Sequence, residues 1–343
     1  MLIVASVGVP IIKEDRVRKM IIAGADILRF NLSYYNTENS IKYIELTKNI
    51  KNELNSDIKI LVELPLNKIL LGEFKNNIFG VKENQELTLQ SAPYSDDCEE
   101  FVPVDTRNLG EKVRINQTIS LANGRISLQV TEIVNKDIIK VRVLNNGIIK
   151  SRQTFNNGFT LEDTEMLDKY KFILKNILPL RPNYLAVSYL NENFINELKK
   201  MPEMQELQKN TKMIVKIERE ITKAELKNLC SNDYFKMLMI DRGEIGVNMP
   251  FEKTGLYQKY IAAIAKKMNK KFLVSTQILN STIDNFIPGR SDITDLTNIV
   301  LEGASGIVLT KETSRSKRPV YAISTAKKII ETVKNYKSKN QEE

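Results

Sequence analysis

The chain has no histidine among its 343 residues, and this absence excludes several kinds of catalytic site. Serine–histidine and cysteine–histidine nucleophiles are ruled out, as is histidine-bound zinc. The only two cysteines, Cys98 and Cys230, favour a reducing compartment over a disulfide framework or a thiolate metal site. The chemistry must therefore come from carboxylates, lysine, arginine, hydroxyl groups, backbone amides and hard metal ions.

Long apolar runs are also missing. No segment reaches the roughly 18 to 20 apolar residues that span a bilayer, and the N-terminus lacks the charged start of a signal peptide. We therefore expect a cytoplasmic protein with no membrane partner. The net charge of +9 is spread along the chain rather than clustered. This distribution argues against a nucleic-acid partner and favours small, acidic, phosphate-bearing ligands.

Eight short apolar segments with strand character recur along the chain, mostly separated by stretches of helical periodicity. The strand segments are 2–8, 25–30, 58–64, 184–190, 212–218, 236–241, 271–276 and 305–310. The helical stretches include 14–22, 37–52, 255–268, 291–302 and 319–334. Because parallel strands buried on both faces are almost continuously apolar, this alternation predicts an α/β fold, a closed (β/α)8 TIM barrel.

One gap interrupts the rhythm between the third and fourth strand segments. It is about 120 residues long, whereas connections in such barrels usually take about 2 to 6 residues. Alternating apolar and polar residues, with turn signals in "ANGR" and "NNG", predict a small antiparallel β domain with hairpins at those points. We expect this lid domain to occupy 70–162, inserted after strand 3, and the barrel to be formed by 1–69 and 163–343.

Polar residues cluster at the carboxyl ends of the predicted strands, where barrel enzymes place their active sites. They are Arg29, Asn31, Ser33, Glu63, Lys216, Glu218, Asp241, Arg242, Glu244, Thr276, Gln277, Thr310, Lys311 and Glu312. Glu218 and Glu244, on neighbouring strands, suit Mg²⁺ or Mn²⁺. Arg29 and Lys216 would face an anionic ligand. Gly243 lies where a helix N-terminus can present amide groups to a carboxylate or phosphate.

Each of these residues also has a purely structural interpretation. Lys216 and Glu218 could form an ion pair that closes the barrel, Glu244 could cap a helix, and Arg29 could pair with a neighbouring carboxylate. Their presence together at one end of one barrel favours a functional site.

Six segments together resemble the pyruvate kinase family over nearly the whole chain. "LRFNLS" resembles its arginine–x–asparagine–x–serine segment, and "LANGRISLQVTEI" resembles its lid. "VKIERE" is similar to its catalytic lysine–isoleucine–glutamate, and "DRGEIGVNMP" to its alanine–arginine–glycine–aspartate–leucine–glycine segment. "VSTQIL" and "LTKETSRSKRP" resemble two further blocks in the same order.

The resemblance implies phosphoryl transfer from phosphoenolpyruvate to ADP, giving pyruvate and ATP, with Mg²⁺ or Mn²⁺ as cofactor. It makes Lys216, Thr276 and Arg29 the catalytic residues and Glu218 and Glu244 the metal ligands. The remaining candidate binding residues are Asn31, Ser33, Glu63, Lys68, Gly243 and Arg152.

Several positions depart from the family pattern. Glu63 and Leu64 replace the aspartate and the threonine of the family's monovalent-cation site. Leu64 together with Lys68 resembles the branch that needs no K⁺, in which the lysine ammonium replaces the bound cation. Glu244 stands where the family has aspartate. At the nucleotide side, Leu70 replaces an arginine.

Further changes affect the predicted lid. Arg152 and Gln153 replace two lysines, and Ala122 and Asn123 replace paired aspartates. The chain also stops where the family's C-terminal domain would begin, which predicts a monomer or homodimer rather than a tetramer.

Three functions remain open from the sequence. The protein could be an active pyruvate kinase, a barrel that binds phosphoenolpyruvate or pyruvate but uses another acceptor or lyase chemistry, or a non-catalytic regulatory paralogue. The retained Arg29, Lys216, Glu218 and Thr276 disfavour the third, and the altered nucleotide contacts disfavour the first.

Overall fold

The chain begins with three parallel strands and the two helices that connect them. These are β1 (Leu2–Ser6), α1 (Glu14–Ile22), β2 (Ile27–Asn31), α2 (Thr37–Glu53) and β3 (Lys59–Glu63). The structure is a computed structural model that describes residues 1–8, 14–34, 37–65, 68–121, 125–156 and 163–339. Helix α1 shows why these segments fold as they do, because Val17, Met20 and Ile21 form one buried face while acidic residues occupy its first turn.

The middle of the chain contains short strands in sheets of its own. They are β4 (Glu73–Phe74), β5 (Ile78–Val81), β6 (Glu86–Ser91), β7 (Tyr94–Ser95), β8 (Val102–Val104), β9 (Thr118–Leu121), β10 (Ile126–Ile133), β11 (Ile138–Val143), β12 (Gly147–Lys150) and β13 (Phe155–Asn156). Six of them form one sheet in the order β13-β9-β10-β11-β6-β8, and β12-β5 and β4-β7 form two small sheets.

The last part of the chain returns to alternating helices and strands. The strands are β14 (Tyr184–Ser188), β15 (Lys212–Ile217), β16 (Phe235–Asp241), β17 (Lys271–Ser275) and β18 (Gly306–Leu309). The helices are α3 (Asp163–Ile177), α4 (Glu192–Lys200), α5 (Pro202–Gln208), α6 (Lys223–Ser231), α7 (Arg242–Asn248), α8 (Thr254–Lys267), α9 (Arg290–Leu301), α10 (Lys311–Ser314) and α11 (Pro319–Lys339).

Eight parallel strands close into a barrel in the order β1-β18-β17-β16-β15-β14-β3-β2. The first and last strands close it by pairing in register, Leu2 opposite Gly306. The barrel core is an apolar cluster with members from every strand, including Val4, Ile214 and Met239. The predicted TIM barrel is therefore confirmed, with each strand within about two residues of its predicted bounds.

The chain divides into two compact units. The first contains 1–65 and 169–343, and the second contains 66–168. The first unit holds the whole barrel. No helix in the described ranges is both long enough and apolar enough to cross a membrane.

The inserted unit is mostly antiparallel, as predicted, although β6 pairs with β8 and β4 with β7 in parallel. The hairpin predicted at "NNG" (145–147) is wrong: β12 after it pairs with β5, not with β11 before it. Both asparagine side chains bond elsewhere instead. Asn145 accepts from the Ser127 amide and Asn146 from the Glu83 amide. At "ANGR", β9 and β10 pair as a hairpin, but residues 122–124 lie outside the described ranges.

Candidate active site

Polar side chains fill the barrel interior directly above its apolar core. Each strand contributes a core residue and then, two positions later, a polar residue on the same face, because strand side chains alternate between faces. These inner polar residues are Ser6, Arg29, Glu63, Ser188, Lys216, Asp241, Ser275 and Thr310. All except Thr310 are buried. The carboxyl end of the barrel thus carries a continuous set of charged and hydroxyl groups.

Lys216 is the centre of this set. Its side chain is fully buried on β15, and its ammonium nitrogen forms an ion pair with Glu218. The same Nζ lies 3.1 Å from Glu63 Oε1 and 3.8 Å from Asp241 Oδ2. Burial lowers the pKa of Lys216, but the three carboxylates outweigh burial and hold the pKa well above its ordinary value. Lys216 is therefore a fixed positive charge.

Arg29 and Glu63 form a second buried ion pair on β2 and β3. Arg29 Nε donates to Glu63 Oε2 at 2.6 Å, and Nη2 donates to Oε1 at 2.8 Å. Arg29 Nη1 donates to the Ser6 hydroxyl at 2.8 Å. Burial raises the pKa of Glu63, but Arg29 and Lys216 outweigh it and lower the pKa to about 2. This bidentate arrangement fixes the plane of the guanidinium.

Asn31 extends the same network toward the barrel mouth. Its Nδ2 donates to Glu63 Oε1 at 2.9 Å, and its Oδ1 accepts from the Ser33 amide at 2.9 Å. The structure thus brings Arg29, Asn31, Ser33 and Glu63 together. Glu63 accepts three hydrogen bonds from Arg29 and Asn31 and also forms an ion pair with Lys216.

Glu218 and Glu244 supply the negative charge around a potential metal position. Burial, together with the nearby Asp241 and Glu244, raises the pKa of Glu218 to about 7, although Lys216 opposes the shift. The Lys216 ammonium thus lies among three carboxylates, those of Glu63, Glu218 and Asp241, and Glu63 also pairs with Arg29. Within the described ranges no group of three or more acidic or cysteine side chains could hold a metal unaided. Two carboxylates suit Mg²⁺, which completes its shell with water and substrate oxygens, so the donor set fits this ion.

Thr276 has an unusual backbone just after β17. Its φ is 76°, a left-handed conformation that β-branched residues rarely adopt. Two neighbours hold it: Arg242 donates to the Thr276 carbonyl from Nη2 at 2.7 Å, and Thr276 Oγ1 donates to Asp241 Oδ1 at 2.9 Å. Gly243 leaves the necessary space, because a Cβ there would lie 2.8 Å from Thr276 Cγ2. Strain of this kind concentrates at functional sites.

Residues 1–323 match the family model described as "Pyruvate kinase, barrel domain". The chain belongs to the pyruvate kinase family. It is 27% identical to the pyruvate kinase of Thermococcus litoralis, covering 98% of this chain and 70% of that protein. It is 29% identical to the pyruvate kinase of Buchnera aphidicola subsp. Schizaphis graminum, again covering 98% of this chain and 70% of that protein. The chain is also similar to the crystal structure of Cryptosporidium parvum pyruvate kinase, with a TM-score of 0.82 and 23% sequence identity. The match covers 97% of this chain and 70% of the Cryptosporidium parvum chain.

Membership of the pyruvate kinase family confirms the predicted fold and the prediction of an enzyme of this type. The family resemblance and the barrel geometry agree on one region. All the family-like residues of the barrel, from Arg29 to Thr276, lie at the carboxyl ends of its strands.

The remaining candidate residues belong to the second unit and are described within it. Arg152 has a left-handed φ of 61°, and its Nη1 donates to Asp105 at 2.7 Å. Leu70 forms an isolated bridge with Thr154, and Lys68 is partly exposed. Ala122 and Asn123 lie outside the described ranges. Binding roles for Lys68 and Arg152 thus stay predictions.

Three residues at the carboxyl end of the barrel received no role from the sequence: Ser6 and Ser188 were not among the candidates, and Asp241 was listed only as a polar residue at a strand end. Ser6 binds Arg29, Asp241 binds Thr276 and faces Lys216, and Ser188 lies beside Lys216 on β14. All three are inner polar residues. The period of two, counted from the core residue of each strand, is the sequence signal that could have identified them.

Proposed function

We propose that this protein transfers the phosphoryl group of phosphoenolpyruvate to ADP, giving pyruvate and ATP, with Mg²⁺ or Mn²⁺. The P–O bond to the enol oxygen breaks, a new P–O bond forms to the terminal phosphate of ADP, and the enolate takes up a proton. The observation that carries the proposal is Lys216, a fully buried cation at the barrel mouth beside Arg29. The proposal includes a cytoplasmic location and a monomer or homodimer.

Lys216 and Arg29 would stabilise negative charge during the transfer. Phosphoryl transfer is catalysed mainly by positioning and by electrostatic stabilisation, so pre-oriented cations in a dry site are the central requirement. Arg29 is oriented by Glu63 and Ser6, and Lys216 by its carboxylate neighbours. Both cations are thus held in place by protein groups before any ligand binds.

Glu218 and Glu244 would hold the divalent ion. When bound, the ion supplies positive charge that neutralises the phosphoryl oxygens. Asn248 Nδ2 donates to the Glu218 carbonyl at 2.9 Å and so fixes the backbone at this ligand. Glu244 is one methylene longer than the aspartate of the family and lies in the first turn of α7. Arg242 anchors this turn, because its Nη1 donates to Asp295 Oδ1 at 2.7 Å.

Thr276, with the amides of Gly243 and Glu244, would orient the substrate carboxylate and lie near the proton delivered to the enolate. Its hydroxyl is already directed by Asp241. Asn31, Ser33 and Glu63 would keep the Arg29 side chain oriented toward this substrate.

We also propose that turnover needs no K⁺. Both oxygens of Glu63 accept hydrogen bonds from protein donors, two of them cationic side chains, and Leu64 brings no side-chain oxygen. These oxygens are therefore poorly suited to coordinating a monovalent ion. Lys68 would supply the remaining positive charge.

A second candidate function is phosphoryl transfer to an acceptor other than ADP, or another reaction of phosphoenolpyruvate. Leu70 and Gln153 favour this second function. They stand where the family has an arginine and a lysine, and neither side chain carries the positive charge expected at a nucleotide phosphate site.

One experiment separates the two functions. Pyruvate release is measured with phosphoenolpyruvate, ADP and Mg²⁺, and the thermal midpoint is measured with phosphoenolpyruvate and Mg²⁺ alone. Turnover supports the first function. A raised thermal midpoint without pyruvate release supports the second function. Absence of both pyruvate release and thermal stabilisation rejects both functions.

A further inference from the structure

Asp241 brings a carboxylate to the threonine that we propose orients the substrate. It ends β16, and it stands at the position of the alanine in the family segment that "DRGEIGVNMP" resembles. Its side chain is buried, and its two oxygens face different partners. Oδ1 accepts a hydrogen bond from Thr276 Oγ1 at 2.9 Å, and Oδ2 lies 3.8 Å from Lys216 Nζ. The family segment has no carboxylate at this position, so the resemblance assigns Asp241 no role.

The hydroxyl of Thr276 has a single hydrogen, and Asp241 accepts it. A carboxylate can only accept, so Thr276 must be the donor in this pair. Ser275 Oγ lies 3.3 Å from Thr276 Oγ1, and Ser275 must donate in that contact because the Thr276 hydrogen is already engaged. Donation thus runs in one direction, from Ser275 to Thr276 to Asp241. Toward a ligand, Thr276 Oγ1 therefore presents a lone pair and no hydrogen.

A substrate carboxylate needs the opposite orientation of this hydroxyl. Thr276 is partly exposed, but a carboxylate oxygen that approaches Oγ1 meets a lone pair rather than a donor. To donate to the ligand, the hydroxyl must rotate and give up its hydrogen bond to Asp241. Because hydrogen bonds to charged groups are stronger than neutral ones, losing this bond cancels most of what the new bond to the substrate contributes.

We propose that Asp241 competes with the carboxylate of phosphoenolpyruvate for the Thr276 hydrogen and so sets the affinity of this chain for its substrate. The inference rests on the proposed function for the identity of the ligand. Asp241 acts through Thr276 and is therefore a positioning residue. The substrate carboxylate then depends mainly on the amides of Gly243 and Glu244. Removing Asp241 tightens binding, which is the opposite of what the loss of a supporting contact would do.

The test is a double-mutant cycle on binding, with Asp241→Ala, Thr276→Val and the double variant in the full chain. Calorimetry measures the Kd for phosphoenolpyruvate with Mg²⁺ and without ADP, and the ligand-free thermal midpoint checks that each variant is folded. We expect Asp241→Ala to lower the Kd about tenfold, because the released hydroxyl donates to the substrate. In the Thr276→Val background the gain from Asp241→Ala should be about fivefold smaller, since only the loss of the negative charge remains.

Equal gains in the two backgrounds would show that Asp241 acts by its charge alone, and they would overturn the inference. So would a Kd for Asp241→Ala that is unchanged or higher. Thr276→Val alone is an independent check that does not depend on the folding of Asp241→Ala. Its Kd should stay within about threefold of the wild-type value, and a rise of about tenfold would show that the substrate takes the hydrogen in spite of Asp241.

These outcomes also separate the inference from the proposed function. In each result that overturns the inference, the wild type still binds phosphoenolpyruvate and the proposed function stands. Binding that is detected only after Asp241→Ala supports both. Absence of phosphoenolpyruvate binding in the folded wild type and in every folded variant overturns both.

Discussion

Glu63 shows how single residues organise this site. Its carboxylate receives two hydrogen bonds from Arg29 and one from Asn31, and it forms an ion pair with Lys216 inside the barrel. An unpaired charge at such depth would be very costly, and here it is matched by two cations. The same carboxylate orients Arg29 and Lys216, the two cations that we propose bind the phosphoryl group, and compensates their buried charge.

Replacing Glu63 by glutamine should change the pH dependence of stability. The pKa of Glu63 is about 2 in the folded protein against an ordinary value of 4.5. A depressed carboxyl pKa stabilises the fold above pH 4.5, and this contribution is lost as the pH falls toward 2. The wild type should thus exceed Glu63→Gln by an electrostatic contribution on the order of 3 kcal/mol at pH 7, narrowing below pH 4.5. Urea unfolding of both proteins at pH 7, 4 and 3 measures this difference in the free energy of unfolding. A difference that does not change with pH would contradict the low pKa of Glu63.

Lys68 allows a test of whether turnover requires K⁺. Exchanging KCl for tetramethylammonium chloride at equal ionic strength should leave wild-type turnover within about twofold, because protein cations already compensate Glu63. Lys68→Glu should introduce a requirement for K⁺. Wild-type turnover that collapses without K⁺ would refute this part of the proposal.

At the scale of elements, β16, α7 and the end of β17 act together. Arg242, at the start of α7, holds the Thr276 carbonyl, and Asp241, at the end of β16, holds its hydroxyl. The left-handed conformation of Thr276 is thus imposed by neighbouring elements rather than by its own preference.

Gly243→Ala should impair activity more than stability. The added Cβ would lie 2.8 Å from Thr276 Cγ2 and displace the side chain that we propose orients the substrate. A misplacement of about 1 Å can cost roughly a hundredfold in rate, which we expect in kcat/KM for phosphoenolpyruvate. Gly255→Ala is the matched control, because a Cβ there meets nothing within 4 Å and alanine favours a helix. Equal effects of the two substitutions would argue against this packing role.

Much of this level was predictable from the sequence. Buried parallel strands have a strong apolar signal, so all eight were predicted, and a barrel brings their polar ends together regardless of detail. The strand pairing around "NNG" could not be predicted in this way. Its two asparagine side chains bond to the backbone amides of Ser127 and Glu83, which are distant in sequence. The backbone of Thr276 also depends on tertiary neighbours that no local pattern encodes. A carboxylate partner for Arg29 was among the sequence interpretations, but the sequence did not identify it as Glu63.

At the scale of the whole molecule, the barrel is self-contained. Its first and last strands pair with each other, and the chain leaves it at Pro65 and returns near Tyr170, whose hydroxyl donates to the Pro65 carbonyl. The inner polar residues all belong to this unit, whereas Lys68 and Arg152 belong to the other.

A variant with residues 66–168 replaced by a short glycine–serine linker should therefore keep the barrel. Because the Tyr170 hydroxyl donates to the Pro65 carbonyl, the two ends of this excision lie close together, and the linker imposes little closure entropy. We expect native-like circular dichroism and retained stabilisation by phosphoenolpyruvate and Mg²⁺, with turnover of ADP lost. Loss of phosphoenolpyruvate binding in a folded variant would show that the inserted unit contributes to that half of the site.

The most direct test of the whole account is pyruvate release from phosphoenolpyruvate and ADP by Lys216→Met, compared with Lys112→Met. Lys112 is also a buried lysine in an ion pair, with Glu165 at 3.2 Å, but it lies in the inserted unit. Removing either should destabilise the fold by about 3 to 5 kcal/mol, so folding of both is checked by circular dichroism. We predict that Lys216→Met loses at least about a hundredfold in turnover while Lys112→Met stays within a few-fold of wild type. A folded Lys216→Met protein with near-wild-type turnover would contradict the central claim.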